Sequence, residues 1–115
     1  MYKGLKPPGL SVKHILCVCE HGNNRSVTMA FILKYVENFE TLSAGVGYHT
    51  PETLKMLYEW ADVIVVPEDK LLALIPEEYK SKIKFYNIGK DIYNRPFNQI
   101  LFQKAKKMME EDKIT

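Results

Sequence analysis

Two short runs, Ile15-Leu16-Cys17-Val18 and Val63-Ile64-Val65-Val66, restrict the fold more than anything else in this chain. Each is far too short to span a membrane and lacks the alternation of a strand wetted on one face. Each therefore predicts a strand buried on both sides, as in the middle of a parallel sheet. Parallel neighbours need a crossover of about a dozen residues or more, and helical signals lie between the runs. Residues 26–37, with Val27, Met29, Ala30, Phe31, Ile32, Leu33, Tyr35 and Val36, are apolar almost all round, predicting a helix covered on several sides. Thr50 followed by Pro51 reads as a cap and first turn, with Leu54, Leu57, Tyr58 and Ala61 then on one face. Strands are expected over 12–19, 39–43, 62–66 and 83–88, and a short helix from Pro67 ends by Pro76. A closing helix is expected over 96–111, with Phe97, Ile100, Leu101, Ala105 and Met108 inward. The alternation predicts an α/β fold: an open three-layer sheet of about four parallel strands with helices on both faces.

A length of 115 residues, 46% hydrophobic and 26% charged, suits one domain over 12–115 behind a Pro/Gly-rich lead-in over 1–11. The net charge is only +2 and the lysines are scattered, apart from Lys104, Lys106 and Lys107 on one helix face, so neither nucleic acid nor membrane is an expected partner. Gly4, Pro7, Pro8 and Gly9 break the lead-in, which leaves no apolar stretch for a signal peptide, and a cytoplasmic location is expected. Cys17 and Cys19 share one predicted strand and are badly placed for a disulfide; Cys17, inside the strand, reads as core. No metal-ligand spacing occurs, and no cofactor is expected.

The first apolar run feeds directly into Cys19-Glu20-His21-Gly22-Asn23-Asn24-Arg25-Ser26. A thiol thus stands at the end of a strand, with an arginine six residues later at the mouth of a helix. Gly22, Asn23, Asn24 and Ser26 are small or turn-prone and let a loop curl with its N–H groups inward as an anion nest. The helix N-terminus adds free amides and partial positive charge, a field that favours thiolate over thiol. Arg25 offers a planar fork matching two oxygens of an oxyanion. The Ser26 hydroxyl can donate to the sulfur, and a serine there can also cap the helix.

Cys-x5-Arg-Ser between an N-terminal strand and helix resembles the phosphate-binding loop of the low-molecular-weight protein tyrosine phosphatases. Ser43-Ala44-Gly45 is similar to that family's Ser-Ala-Gly, and Asp91-Ile92-Tyr93 to its Asp-Pro-Tyr general-acid loop. The glycine at Gly22 gives Cys-x2-Gly-x2-Arg, which looks more like the loops of dual-specificity and classical phosphatases. The resemblance runs along most of the chain beyond the lead-in and is closest to the compact predicted-phosphatase relatives. It implies a phosphatase acting on phosphotyrosine or similar aryl phosphates of a protein or small phosphomonoester, through a phosphocysteine. Cys19 is then the nucleophile, Arg25 and the loop residues Glu20, His21, Gly22, Asn23 and Asn24 bind phosphate, Ser26 supports the thiolate, and Asp91 is the general acid. Asp62 and Asp69 are rivals for that acid.

Tyr48, His49 and Tyr93 are candidate walls for an aromatic leaving group. Glu20 sits awkwardly beside a bound dianion unless its side chain turns away. Asn24 occupies the place where family members often carry a second loop cysteine. Other readings use the same loop: a non-catalytic phosphate or phosphopeptide binder, a phosphoserine phosphatase, or an arsenate reductase, which needs further cysteines to pass a disulfide along.

Overall fold

In the computed structural model, which describes residues 13–90, 92, 93 and 95–114, the two apolar runs lie side by side at the centre of a parallel sheet. β1 (His14–Cys19) and β3 (Val63–Val66) pair with Leu16 opposite Ile64. β2 (Glu40–Gly45) lies on the other side of β1, with Cys19 opposite Gly45, and β4 (Ile83–Phe85) flanks β3. The order is β2-β1-β3-β4. The chain therefore leaves β1 toward one side and returns to the other, so β1 is where the strand order reverses. In open α/β sheets that reversal opens a crevice beyond the carboxyl ends of the strands.

The double-sided burial of β1 sorts its residues by parity. Ile15 and Cys17 face α1 (Arg25–Tyr35) and α4 (Gln99–Glu111), meeting Met29, Ile32, Leu33, Leu101, Ala105 and Met109. Leu16 and Val18 face α2 (Pro51–Trp60), α3 (Asp69–Leu72) and a 3-10 helix (Glu77–Lys82), through Leu54, Tyr58, Leu71 and Tyr79, with Ile75 from the turn between the last two elements. Ile15, Leu16 and Val18 expose nothing, and each contributes roughly 1.5–3 kcal/mol by leaving water. Thr50 caps α2 by accepting from Thr53 N–H, with Pro51 in its first turn.

Several boundaries differ from expectation. α1 starts at Arg25, one residue early, so Ser26 lies within the first turn instead of capping it. α1 is also covered on one side only: Phe31 and Tyr35 are exposed, their rings tilted against each other, and Phe31 meets Phe97 edge to face. α4 starts at Gln99, where the Asn98 carboxamide accepts from Ile100 and Leu101 N–H. Its buried stripe is Leu101, Ala105 and Met109, one helical position around from the expected face, which leaves Ile100 72% exposed and Phe97 in solvent. The 3-10 turn over Glu77–Lys82, unforeseen after Pro76, buries Tyr79. β4 stops at Phe85, three residues short of the expected end. The lead-in over 1–11, the Val12 start of the first strand and Asp91 fall outside the described residues. No described helix is long and apolar enough to cross a membrane.

Candidate active site

The Cys19 loop begins where β1 runs out, and β2 holds its first residues down. Val46 N–H donates to Cys19 O at 2.9 Å and Gly47 N–H to Glu20 O at 2.8 Å, extending the pairing of β1 and β2 past both strands. Gly22 then turns the chain with φ +80°, a left-handed conformation that disfavours a side chain. At Gly22 and at Gly45 the two backbones touch. A Cβ on Gly22 would meet Gly45 N at 2.6 Å, and a Cβ on Gly45 would meet the His21 carbonyl carbon at 2.4 Å. Gly45, the last residue of Ser43-Ala44-Gly45, is thus the floor on which the loop rests.

Folding the loop this way brings donors to the sulfur. Gly22 N–H donates to Cys19 Sγ at 3.1 Å, and Ser26 Oγ lies 3.1 Å from the same sulfur on the helix side. With the sulfur ionised, the hydroxyl donates to it. Cys19 is only 1% exposed, yet it belongs to neither apolar cluster. Its sulfur lies at the base of a polar loop. Asn24 precedes α1 without capping it through its side chain, and a helix N-terminus carries a partial positive charge at the end of the loop.

Cys17, two residues back, differs in every respect. It is wholly buried among Ile15, Val65 and Tyr86, and that burial, with Cys19 nearby as a second cause, pushes its thiol far above the ordinary range. It is an inert core residue.

Arg25 is 1% exposed. Its Nη1 donates to Glu68 Oε1 at 2.7 Å and to Gly89 O at 2.6 Å, while its Nε is buried without a partner. Glu68 is itself buried, just past β3, and Gly89 follows β4 with φ +88°. Four carboxyl-terminal strand ends therefore converge on one locus through Cys19, Gly45, Glu68 and Gly89. Three comparisons bear on this arrangement. A scan against protein-family models finds no match, and no curated protein sequence matches. Among solved structures, the tyrosine phosphatase Wzb from Escherichia coli K30, in complex with phosphate, superposes with a TM-score of 0.68 at 17% identity, covering 88% of this chain and 96% of that one. The chain has the low-molecular-weight protein tyrosine phosphatase fold. The Erwinia amylovora tyrosine phosphatase AmsI aligns at TM-score 0.61 and 22% identity over 93% and 97% of the two chains. A low-molecular-weight protein tyrosine phosphatase from Bacillus subtilis aligns at 0.60 and 19% over 88% and 99%.

Within this phosphatase fold the remaining expected site residues are distributed unevenly. The Glu20 side chain is 46% exposed, 3.9 Å from the Lys70 ammonium and 3.8 Å from His21 Nε2. His21 and Asn23 are exposed on the rim. Tyr48 is 75% exposed and meets His49 edge to face at 5.6 Å, while His49 Nδ1 accepts from Gly45 N–H. Tyr93, expected as a wall, is 5% exposed and packs in the cluster between the sheet, α1 and α4. Its ring joins the cluster that holds Tyr86, Ile88, Leu101 and Ala105. Asp62 accepts from His14 N–H at 2.8 Å. It therefore sits at the amino-terminal edge of the sheet, opposite the loop, and drops out as a rival acid. Glu68 went unnoticed in the sequence, where Pro67-Glu68-Asp69 reads as a helix start. An acid immediately beyond a fully buried parallel strand, on the ligand edge, was the available signal.

Proposed function

We propose that this chain is a cysteine-dependent phosphomonoesterase acting on phosphotyrosine or a similar aryl phosphate. One observation carries the reading: Cys19 Sγ, at the start of the turn into α1, is met at 3.1 Å by both a loop amide and the Ser26 hydroxyl, with a buried arginine six residues on. A sulfur held by donors is stabilised as thiolate.

In this reading the Cys19 thiolate attacks phosphorus in line. The S–P bond forms as the ester P–O bond breaks, and Arg25 with the loop amides holds the equatorial oxygens. Asp91 gives its proton to the departing phenolate oxygen, then accepts one from the water that cleaves the phosphocysteine and releases phosphate. Ser26 steadies the sulfur as it leaves. Gly89, two residues before Asp91, touches Arg25, which supports assigning the acid to that loop. Tyr48, exposed beside the Gly45 turn, is the aromatic surface assigned to the substrate ring. An arsenate-reductase reading finds no support, because Cys17 is fully buried.

The test is hydrolysis of para-nitrophenyl phosphate with a chelator present. Turnover is expected from the wild type and none from Cys19→Ser; equal turnover in both would overturn the proposal. Asp91→Ala separates an enzyme from a phosphate-binding module. It should slow turnover by about 10²–10⁴-fold with phosphate affinity nearly unchanged, whereas a module would show no turnover in either form.

A further inference from the structure

One face of α1 grips the segment that carries Asp91 on both sides of that residue. Arg25, Thr28 and Phe31 follow one another at i, i+3 positions and so share the face. Arg25 Nη1 donates to Gly89 O at 2.6 Å, before Asp91 in the chain. Thr28 is completely buried, and its hydroxyl accepts from Phe97 N–H at 3.0 Å, after Asp91. Phe31 then meets the Phe97 ring edge to face at 5.1 Å. Both gripped residues are left-handed, Gly89 with φ +88° and Phe97 with φ +62°. Glycine takes that conformation freely, whereas a phenylalanine in it is strained. Such strain persists only where the surroundings overdetermine it, and it gathers where geometry serves chemistry. Burial of the ring does not account for it, because Phe97 is 45% exposed. The contacts that hold Phe97 in place come from Thr28 and Phe31.

We propose that Thr28, backed by Phe31, is a positioning residue for the general acid: by fixing the far end of a segment whose near end Arg25 holds, it sets where Asp91 stands against the leaving oxygen. This rests on the phosphatase reading above and adds to it residues outside the Cys19 loop. Within the segment, Asn98 Nδ2 donates to Tyr93 O at 3.3 Å. A shift at Phe97 is therefore passed back toward Asp91 instead of being absorbed by slack chain. The helix that presents Arg25 to the phosphoryl group would present the acid as well, so the two keep one spacing.

Thr28→Val keeps the side-chain shape and removes the acceptor, while Thr28→Ser keeps the acceptor. The readouts are kcat/KM for phenyl phosphate and for para-nitrophenyl phosphate, with the competitive Ki of inorganic phosphate. Phenolate is the poorer leaving group and depends more on a delivered proton. Thr28→Val should lose about 10²-fold with phenyl phosphate, the effect of a group misplaced by about 1 Å, but about tenfold or less with para-nitrophenyl phosphate. Its phosphate Ki should stay within about twofold of wild type, and Thr28→Ser should recover both substrates to within about threefold. A merely structural role would weaken both substrates alike and raise Ki. Equal losses on the two substrates, or wild-type constants in Thr28→Val, would overturn the proposal. If Thr28→Val does not fold, Phe31→Ala decides, since that ring is 41% exposed: a larger loss with phenyl phosphate supports the proposal, and an equal loss or none overturns it. Absence of turnover in the wild type would instead sink the phosphatase reading itself.

Discussion

Adding one methyl group to Gly45 should disable the site without substituting any residue assigned to the chemistry. The new Cβ would lie 2.4 Å from the His21 carbonyl carbon, 2.5 Å from its oxygen and 2.8 Å from Gly22 N, where ordinary contact begins at 3.4 Å. All three atoms are backbone, so relief requires the His21–Gly22 peptide to retreat by about 1 Å. That peptide supplies the N–H that donates to Cys19 Sγ at 3.1 Å, and a further 1 Å takes the bond beyond useful range. Overpacking of this kind costs about 1–3 kcal/mol, a fall of roughly 4–15 °C in Tm for a chain this size. The displaced amide should lower kcat/KM by about 10²-fold. Gly47→Ala is the control, since its Cβ would lie 3.2 Å from Glu20 O and 3.4 Å from Glu20 Cγ, a strain met by shifts of a few tenths of an ångström. The assay pairs steady-state hydrolysis of para-nitrophenyl phosphate with a calorimetric melt of each variant. A folded Gly45→Ala protein with kcat/KM within twofold of wild type would refute the claim that the loop rests on β2.

Ser26→Ala removes the hydroxyl 3.1 Å from the sulfur. A hydrogen bond to a charged group contributes about 1.5–3 kcal/mol, so kcat should fall by roughly one to two orders of magnitude, with a larger pre-steady-state burst as the phosphocysteine accumulates. Iodoacetate should alkylate Cys19 in the native protein, phosphate should protect it, and Cys17 should react only in denaturant; native modification of Cys17 would contradict its complete burial. Tyr86 has its phenol pushed up to about 12, chiefly by burial and then by Asp112, Cys17 and Glu37. The unfolded chain loses that proton near pH 10 while the folded chain keeps it, so this stabilisation is complete below about pH 10 and is lost as pH rises from about 10 to about 12. Tyr86→Phe should be less stable than wild type at pH 8 and show a shallower decline over that window in denaturant melts. An unchanged slope would count against the assignment.

The parts that sequence made legible are those governed by local chemistry. Continuous apolar runs specified β1 and β3 because a strand buried on both faces admits no polar side chain. Thr50-Pro51 specified the start of α2 because both residues act within one turn. The Cys19 loop was readable because its donors, turn formers and nucleophile are contiguous. What stayed hidden depends on where distant segments meet. Glu68 belongs to the site only because β3 lies next to β1, and Gly89 only because β4 lies next to β3. Tyr93 reads as a pocket wall because the Asp-x-Tyr spacing says nothing about what its ring packs against, and in the fold that ring lies in the core. The aromatic character of Phe31, Tyr35 and Phe97 suggested burial, whereas the three side chains cover one another at the surface.

The hydrogen bonds of Arg25 to Glu68 and Gly89 span 43 and 64 positions of the chain. Under the proposed function, an anion site assembled from such remote parts exists only when the whole sheet is in register, so early folding species that hold the β1 turn alone should not retain anions. Conversely, an oxyanion bound there, as the proposed function requires, would clamp all the contributing segments at once. Inorganic phosphate should therefore slow amide exchange throughout the central strands as well as in the loop, and raise the melting temperature in proportion to the logarithm of its concentration above Kd.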